Sequence, residues 1–239
     1  MNQIDAAFVK AFLENWQQKN ETIELDTIAA HPTTIALNGA EIPQTAQVNS
    51  RYGRFLYHLV KQFKPQKVLE IGMANGVSSA YIASAMATYQ PESGNHTIID
   101  PFQSTDWQGA GKHLLQRLHL DRYTQLIEHY SIHAVTQLED AGKRFDFAFI
   151  DGNHCLDYTL ADVIVADRVL NIGGLIALDD SMAYGVNIAI PYLDQHRPNL
   201  RRILLDPPAI HWLREKWFKR RRITIYQKIA EDTRGADTI

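Results

Sequence analysis

The chain has 239 residues, of which 45% are hydrophobic and 21% are charged, and its formal net charge is -3. This composition is typical of a globular protein with a sizeable core, and the small negative charge gives no electrostatic reason to expect a nucleic-acid partner. The single cysteine, Cys155, excludes an intrachain disulfide and fits a reducing compartment. There is no signal-peptide pattern at the start and no apolar run long enough for a membrane span, so we expect a soluble, cytoplasmic protein.

The first 64 residues are predicted to form a helical N-terminal extension. Apolar residues recur at helical spacing over 4–19 and over 48–63, and Pro65 ends the second helix. The stretch 21–47 contains two prolines and a glycine without a clean period, so we expect a loop there with at most one short strand. The extension is interpreted either as a lid over the substrate or as a contact in a homodimer.

From residue 65 to residue 230, apolar strand patterns alternate with helical patterns. The predicted strands are Lys67–Ile71, Thr97–Asp100, Gln125–Glu128, Phe145–Ile150, Leu175–Asp179, Arg202–Leu205 and Ile223–Gln227. The predicted helices are Val77–Tyr89, Gly111–His119, Ser131–Asp140 and Asp157–Leu170. This alternation predicts an α/β fold with a doubly wound parallel sheet, whose last strand is antiparallel because no long helix precedes it. Residues 231–239 are left as a tail, and the basic run 216–222 is interpreted as a solvated hairpin face.

Four carboxylates stand at the ends of predicted strands. Asp100 ends the second strand, Asp151 follows the fourth, and Asp179 and Asp180 end the fifth. Ligands of doubly wound sheets bind beyond the carboxyl ends of the strands. One solvated carboxylate in a loop is ordinary, but four at the same edge of a sheet predict a binding site.

The first strand-to-helix turn reads E-x-G-x-x-x-G, with Glu70, Gly72 and Gly76. The dinucleotide pattern G-x-G-x-x-G is absent, so a pyrophosphate would be poorly cradled. A ligand with a carboxylate and an ammonium group suits this turn better, and Glu70 is a candidate to bind the ammonium. Asp100, which ends the next strand, is placed to bind two ribose hydroxyls.

Between Lys67 and Asp180 the chain resembles the class I S-adenosylmethionine-dependent methyltransferases. The stretch "VLEIGMANGVSS" matches the first motif of that family and "IIDPF" the second, while the segment 150–180 resembles the branch of catechol-type and macrocin-type O-methyltransferases. The resemblance implies a Rossmann-like, seven-stranded methyltransferase sheet. It also implies that the cofactor pocket is lined by Glu70, Gly72, Asn75, Gly76, Ser78, Asp100, Phe102 and Ser131.

The same resemblance implies a metal site. In the strand order of the family the fourth and fifth strands are neighbours, so Asp151, Asp179 and Asp180 would converge, and uncompensated carboxylates so close would repel one another. A hard divalent cation, Mg²⁺ or Mn²⁺, would relieve that repulsion. Catechol-type relatives use such a metal to chelate a vicinal diol and to lower the pKa of the hydroxyl that is methylated. The Asp-Asp ending of the fifth strand departs from their Asp-Asn ending.

His154 stands where catechol-type relatives carry a lysine that acts as general base. An imidazole can accept a hydroxyl proton near neutral pH, and helix capping or pairing with a carboxylate are the alternative roles. Trp107 and Tyr184 follow strand ends and are candidates to shape the acceptor cavity, which we expect between residues 21–47 and 180–185.

The leading hypothesis is an O-methyltransferase that uses S-adenosylmethionine and a divalent metal to methylate a small hydroxylated molecule. A metal-independent methyltransferase is the first alternative, in which the aspartates bind an amine or a sugar. A nicotinamide-dependent oxidoreductase is disfavoured by the missing G-x-G-x-x-G pattern. A non-catalytic cofactor-binding protein is disfavoured because binding alone does not require three carboxylates.

Overall fold

The structure is a computed structural model that describes residues 4–16, 20–90, 92, 95–203 and 223–235. Its strands are β1 Thr33–Ile35, β2 Glu41–Pro43, β3 Val68–Ile71, β4 His96–Ile99, β5 Thr124–Ile127, β6 Phe145–Ile150, β7 Leu170–Leu178, β8 Leu200–Ile203 and β9 Thr224–Lys228. Its helices are α1 Ala6–Asn15, α2 Ile23–Ala30, α3 Ser50–Phe63, α4 Val77–Ala87, α5 Ala110–Arg117, α6 Ser131–Asp140, α7 Leu156–Val169 and α8 Tyr184–His196.

Seven strands form the main sheet in the order β5-β4-β3-β6-β7-β9-β8. The strands from β5 to β7 pair in parallel, whereas β9 is antiparallel to both of its neighbours. The predicted α/β fold and its antiparallel last strand are therefore confirmed. The chain runs outward from β3 to β5 and then returns to β6, so the strand order reverses at β3, which is where such sheets open a ligand crevice.

The central strands are buried along their whole length. Every residue of β3, β4 and β6 is buried, which fits a parallel sheet that is covered by helices on both faces. Alternate residues of β3 and β6 enter two separate hydrophobic clusters, with Val68 and Phe147 on the face of α3 and α4, and Leu69 and Ala148 on the face of α6 and α7. Because these strands are buried, they hold in place the carboxyl edge of the sheet, where the predicted site residues lie.

The N-terminal extension contains more structure than predicted. The prediction of a loop over 21–47 was wrong for helix α2 and for the antiparallel hairpin of β1 and β2. Helix α2 has only eight residues and no side-chain cap at Thr22, so its local sequence signal is weak. Tertiary contacts hold it instead, because Asp26 pairs with Arg54 at 2.6 Å and accepts a hydrogen bond from the Tyr81 hydroxyl at 2.7 Å.

Helix α8, between β7 and β8, was not predicted. Gly185 near its start and Pro191 in its interior both disfavour a helix. The helix forms because it buries Val186, Ala189 and Leu193 against the sheet domain. The basic run 216–222 and its interpretation lie outside the described residues. Within the described residues, no helix is long and apolar enough to cross a membrane.

Candidate functional site

The turn between β3 and α4 lies at the reversal of the strand order. Gly72 and Gly76 both have positive φ angles, of 91° and 82°, which glycine adopts at little cost. A Cβ atom on Gly72 would lie 2.1 Å from the backbone oxygen of Asp151, and one on Gly76 would lie 2.7 Å from the Cα of Gly111. Gly72 therefore brings the turn into direct contact with the end of β6, where the carboxylates follow.

Asp100 is buried beneath this turn. Its Oδ2 accepts hydrogen bonds from the backbone nitrogens of Met73 and Ala74, at 3.0 and 2.9 Å, and from Nε2 of Gln103 at 3.2 Å. Its Oδ1 accepts from the backbone nitrogen of Phe102 at 2.8 Å. The carboxylate thus stabilises the turn that the cofactor is expected to contact. Its predicted bonds to two ribose hydroxyls stay a prediction, and they would have to form beside these four.

Glu70 and Ser78 are joined across the same turn. Oε1 of Glu70 accepts a hydrogen bond of 2.6 Å from the Ser78 hydroxyl, and both residues are buried. Asn75 donates a short hydrogen bond to the backbone oxygen of Thr45 and so connects the turn with the segment before α3. The buried Oδ1 of Asn75 has no hydrogen-bond partner among the described residues, which fits a polar group that is available to a ligand.

Two exposed aromatic rings flank the ends of β4 and β5. Phe102 and Tyr130 meet edge to face, with ring centroids 6.0 Å apart, and they are 41% and 53% exposed. Ser131 follows directly as the first residue of α6, but its hydroxyl donates a short hydrogen bond to Asp162 of α7. Phe102 therefore presents a ring to solvent near the predicted adenine position, whereas the Ser131 hydroxyl is already engaged.

Asp151, His154 and Asp180 form a cluster at the carboxyl edge of β6 and β7. One ligand atom from each lies within 4.8 Å of the others. Nε2 of His154 is 3.3 Å from Oδ1 of Asp151, and its Nδ1 is 3.7 Å from Oδ2 of Asp180. Two carboxylates and an imidazole at these distances have the chemistry of a divalent-cation site.

The predicted set of three aspartates and this cluster differ in one member. Asp179 is only 1% exposed, and it is absent from the cluster found among the described residues, in which His154 stands instead. Asp179 still lies close enough to contribute a negative charge at His154. Asp180 has a φ angle of 42°, a left-handed turn that aspartate tolerates better than most residues, and it lies on the side of His154.

The electrostatic surroundings of His154 favour its charged form. The pKa of the imidazole is raised above 6.5, chiefly by the hydrogen bond to Asp151 and further by the negative charges of Asp151, Asp180 and Asp179, while burial opposes the shift. A cation bound among these carboxylates would counteract that effect, because it would repel a positive imidazolium. The backbone of His154 packs closely against the start of α8. A Cβ atom on Gly185 would lie only 2.3 Å from the His154 carbonyl oxygen.

A family model described as a methyltransferase domain matches the chain from residue 69 to residue 181. Residues 69–181, nearly half of the chain, are similar to a methyltransferase domain. The match contains the turn after β3, the end of β4 and the whole cluster at the ends of β6 and β7. The resemblance that the motifs indicated is therefore confirmed for this half of the chain.

Relatives and solved structures agree with this domain. A caffeoyl-CoA O-methyltransferase of Populus kitakamiensis is 27% identical over 136 residues, which are 56% of this chain and 54% of that protein; the chain thus spans about half the length of the curated relatives it matches. The O-methyltransferase from Bacillus cereus in complex with SAH has a TM-score of 0.64 at 17% identity and covers 94% of this chain and 97% of its own. TomG from Streptomyces achromogenes, in complex with SAM, has a TM-score of 0.61 at 15% identity and covers 96% and 100%. These structures confirm the methyltransferase fold.

Several polar residues of the methyltransferase domain were missed by sequence reasoning. His96 touches Glu70, Gln103 binds Asp100, and Asp162 binds Ser131. His96 and Asp162 could have been noticed as polar positions inside otherwise apolar strand and helix patterns. The expected acceptor cavity between residues 21–47 and 180–185 stays a prediction. A cleft of about 510 Å³ lies between the tip of the β1–β2 hairpin and the start of α5, and the cluster residues are not among the described residues that line it.

Asp162 gives the domain a predicted pH dependence of stability. Burial raises the pKa of its carboxyl from 3.8 to about 6, although the hydrogen bond from Ser131 opposes the shift. Because the folded state binds this proton more tightly than the unfolded state, the stabilisation is complete below pH 3.8 and is lost as the pH rises through about 6. Asp162→Asn cannot ionise and keeps an oxygen for Ser131. We expect the difference in unfolding free energy between this variant and the wild type to increase by up to about 3 kcal/mol, in favour of the variant, when the pH is raised from 4 to 7.5.

Urea denaturation at the two pH values measures this difference. Asp140→Asn, at the exposed end of α6, is the matched control for removing a surface carboxylate. The prediction fails if the difference in unfolding free energy between Asp162→Asn and the wild type is the same at pH 4 as at pH 7.5.

Proposed function

We propose that this protein is an O-methyltransferase that transfers the methyl group of S-adenosylmethionine to a hydroxyl of a small molecule with the help of a divalent cation. One observation carries the proposal: the backbone contact between Gly72 and Asp151 joins the turn after β3 to the cluster of Asp151, His154 and Asp180. A cofactor at that turn and a cation at that cluster would be immediate neighbours. Transfer between them needs mainly alignment of donor and acceptor.

The cofactor assignment is supported by the chemistry of the turn. The turn offers a carboxylate and hydroxyl pair, Glu70 with Ser78, to the amino-acid end of a ligand, and also Oδ1 of Asn75, which has no hydrogen-bond partner in the described part of the chain. The exposed ring of Phe102 offers an apolar face to a base. Two of the structural relatives are complexes with SAH and with SAM.

The cation would be held by oxygen atoms of Asp151 and Asp180, with Asp179 as the further ligand that the motif implies. When bound, it would supply Lewis acidity that lowers the pKa of the acceptor hydroxyl. His154 is assigned as the base. In that role Nε2–H would donate to Asp151, and the lone pair of Nδ1, on the side of Asp180, would accept the hydroxyl proton. An aspartate-bound imidazole in this orientation is held ready for proton transfer.

Calorimetric titration tests the cofactor class directly. We expect S-adenosylhomocysteine to bind with and without Mg²⁺, because the turn itself provides the contacts, and we expect NAD not to bind. Asp100→Ala is expected to weaken the binding roughly 10- to 100-fold, because the turn after β3 and the segment after β4 each lose two hydrogen bonds to a charged group. Binding of NAD with no response to S-adenosylhomocysteine would reject the proposal in favour of an oxidoreductase.

We propose only the chemical class of the methyl acceptor, which is a small molecule with a hydroxyl group. A vicinal diol is the first compound to test, because two adjacent oxygens can chelate one cation. A homodimer and a cytoplasmic location stay predictions.

A further inference from the structure

A buried histidine lies beneath the proposed cofactor turn, where no motif calls for one. His96, the first residue of β4, is 1% exposed, and its Nε2 lies 2.8 Å from Oε2 of Glu70, which is fully buried. The ring N–H direction of His96 does not point straight at this oxygen. Neither nitrogen of His96 has an aligned hydrogen-bond partner among the described residues. The imidazole therefore has the carboxylate of Glu70 as its close polar neighbour.

The sheet register explains how the two side chains meet. His96 pairs with Val68, and Glu70 is two residues further along β3, so that both side chains point to the same face of the sheet. That face is covered by α4, whose first turn carries Ser78. Three polar side chains, those of His96, Glu70 and Ser78, are thus enclosed between the sheet and α4, with Glu70 in the middle.

The chemistry of His96, Glu70 and Ser78 indicates which atom donates each hydrogen bond. A carboxylate oxygen at 2.8 Å attracts an imidazole nitrogen that carries a proton, whereas two lone pairs at that distance repel each other. The Ser78 hydroxyl already donates to the other oxygen of Glu70. Both oxygens of the buried carboxylate are then compensated, as a buried charge requires, and the lone pairs of the Ser78 oxygen are left for a ligand.

We propose that His96 is a positioning residue that holds Glu70 through Nε2–H, so that Glu70 orients the Ser78 hydroxyl towards the ammonium group of the bound cofactor. The inference rests on the proposed cofactor site, and it adds a residue that the family motifs do not name. His96 itself touches no ligand. Its effect should appear in cofactor affinity and not in metal binding.

A matched pair of variants tests this role. Glutamine at position 96 can place its amide nitrogen where Nε2 of the imidazole lies, whereas asparagine is one methylene shorter and cannot reach Glu70. We expect His96→Asn to raise the dissociation constant of S-adenosylhomocysteine roughly 10-fold or more, and His96→Gln to stay within about threefold of the wild type. His58→Asn, at another buried histidine on α3, controls for the loss of a buried imidazole and should bind as the wild type does.

The outcomes separate this inference from the proposed function. A wild-type protein that does not bind S-adenosylhomocysteine rejects the proposed function. Folded His96→Asn and His96→Gln proteins that both bind with wild-type affinity reject the role of His96 alone. If neither variant folds, the ¹⁵N spectrum of the wild-type imidazole decides: a protonated Nε2 with a bare Nδ1 supports the inference, and the opposite tautomer overturns it.

Discussion

Asp151→Ala is expected to abolish methyl transfer and to weaken the binding of Mn²⁺ by roughly 100-fold or more, while S-adenosylhomocysteine still binds. The carboxylate of Asp151 is the member of the cluster that contacts His154 directly, and its loss removes both a ligand and the group that orients the base. A 100-fold loss of affinity corresponds to about 2.8 kcal/mol. Calorimetry with Mn²⁺ and with S-adenosylhomocysteine measures the two affinities separately.

Two substitutions of Asp180 serve as the matched comparison. Asp180→Asn keeps an oxygen at the same place, and catechol-type relatives carry asparagine there, so it should retain substantial activity with weaker metal affinity. Asp180→Ala should be inactive. If asparagine and alanine fail alike, the negative charge of Asp180 is what matters, and a metal-free enzyme that binds an amine becomes the better description.

His154→Ala distinguishes between two roles of His154, that of a general base and that of a metal ligand. As the base, His154 should contribute roughly 10²–10⁴ to turnover with a vicinal-diol acceptor, and its removal should leave the Mn²⁺ affinity nearly unchanged. The loss should shrink at alkaline pH, where the acceptor hydroxyl ionises unaided. A large loss of Mn²⁺ affinity in this variant would make His154 a ligand. Full activity of the wild type in excess chelator, with metal content confirmed as nil, would reject the metal-assisted mechanism altogether.

Gly72→Ala is expected to lower the free energy of unfolding by about 3–5 kcal/mol, the largest effect on stability that we predict for one methyl group. The methyl group would lie 2.1 Å from the backbone oxygen of Asp151, and backbone atoms cannot rotate away as a side chain can. The φ angle of 91° adds strain for any residue with a Cβ. The same shift would move Asp151, so cofactor and cation binding should both weaken.

Gly39→Ala is the matched control, because Gly39 has a φ angle of 86° but no atom of the described residues lies within 4 Å of its Cβ position. It should lose only the strain, about 1–2 kcal/mol. Urea denaturation of the two variants compares them directly. Equal losses would show that the contact between Gly72 and Asp151 is not tight, and the observation that carries the proposed function would lose its support.

Local patterns in the sequence were sufficient for most of the fold. Strands β3 and β6 are apolar apart from Glu70 and Asp146, and α6 and α7 have helical periods, so each could be recognised without its neighbours. Helices α2 and α8 could not, because α2 is short and α8 contains Gly185 and Pro191. These two helices form because tertiary contacts outweigh weak or unfavourable local propensities.

The sequence by itself determined that four carboxylates lie at one edge of the sheet, because the ends of parallel strands share an edge. Only the tertiary structure decided which of them meet: Asp180 turns towards His154, Asp179 is buried and stays outside the cluster found among the described residues, and Asp100 supports the turn after β3. The physical reason is that a strand fixes the face of each side chain locally, whereas distances between side chains depend on register, on turn geometry and on glycines that allow two backbones to touch. The contact between His96 and Glu70 is of this second kind, since it depends on the register between β3 and β4.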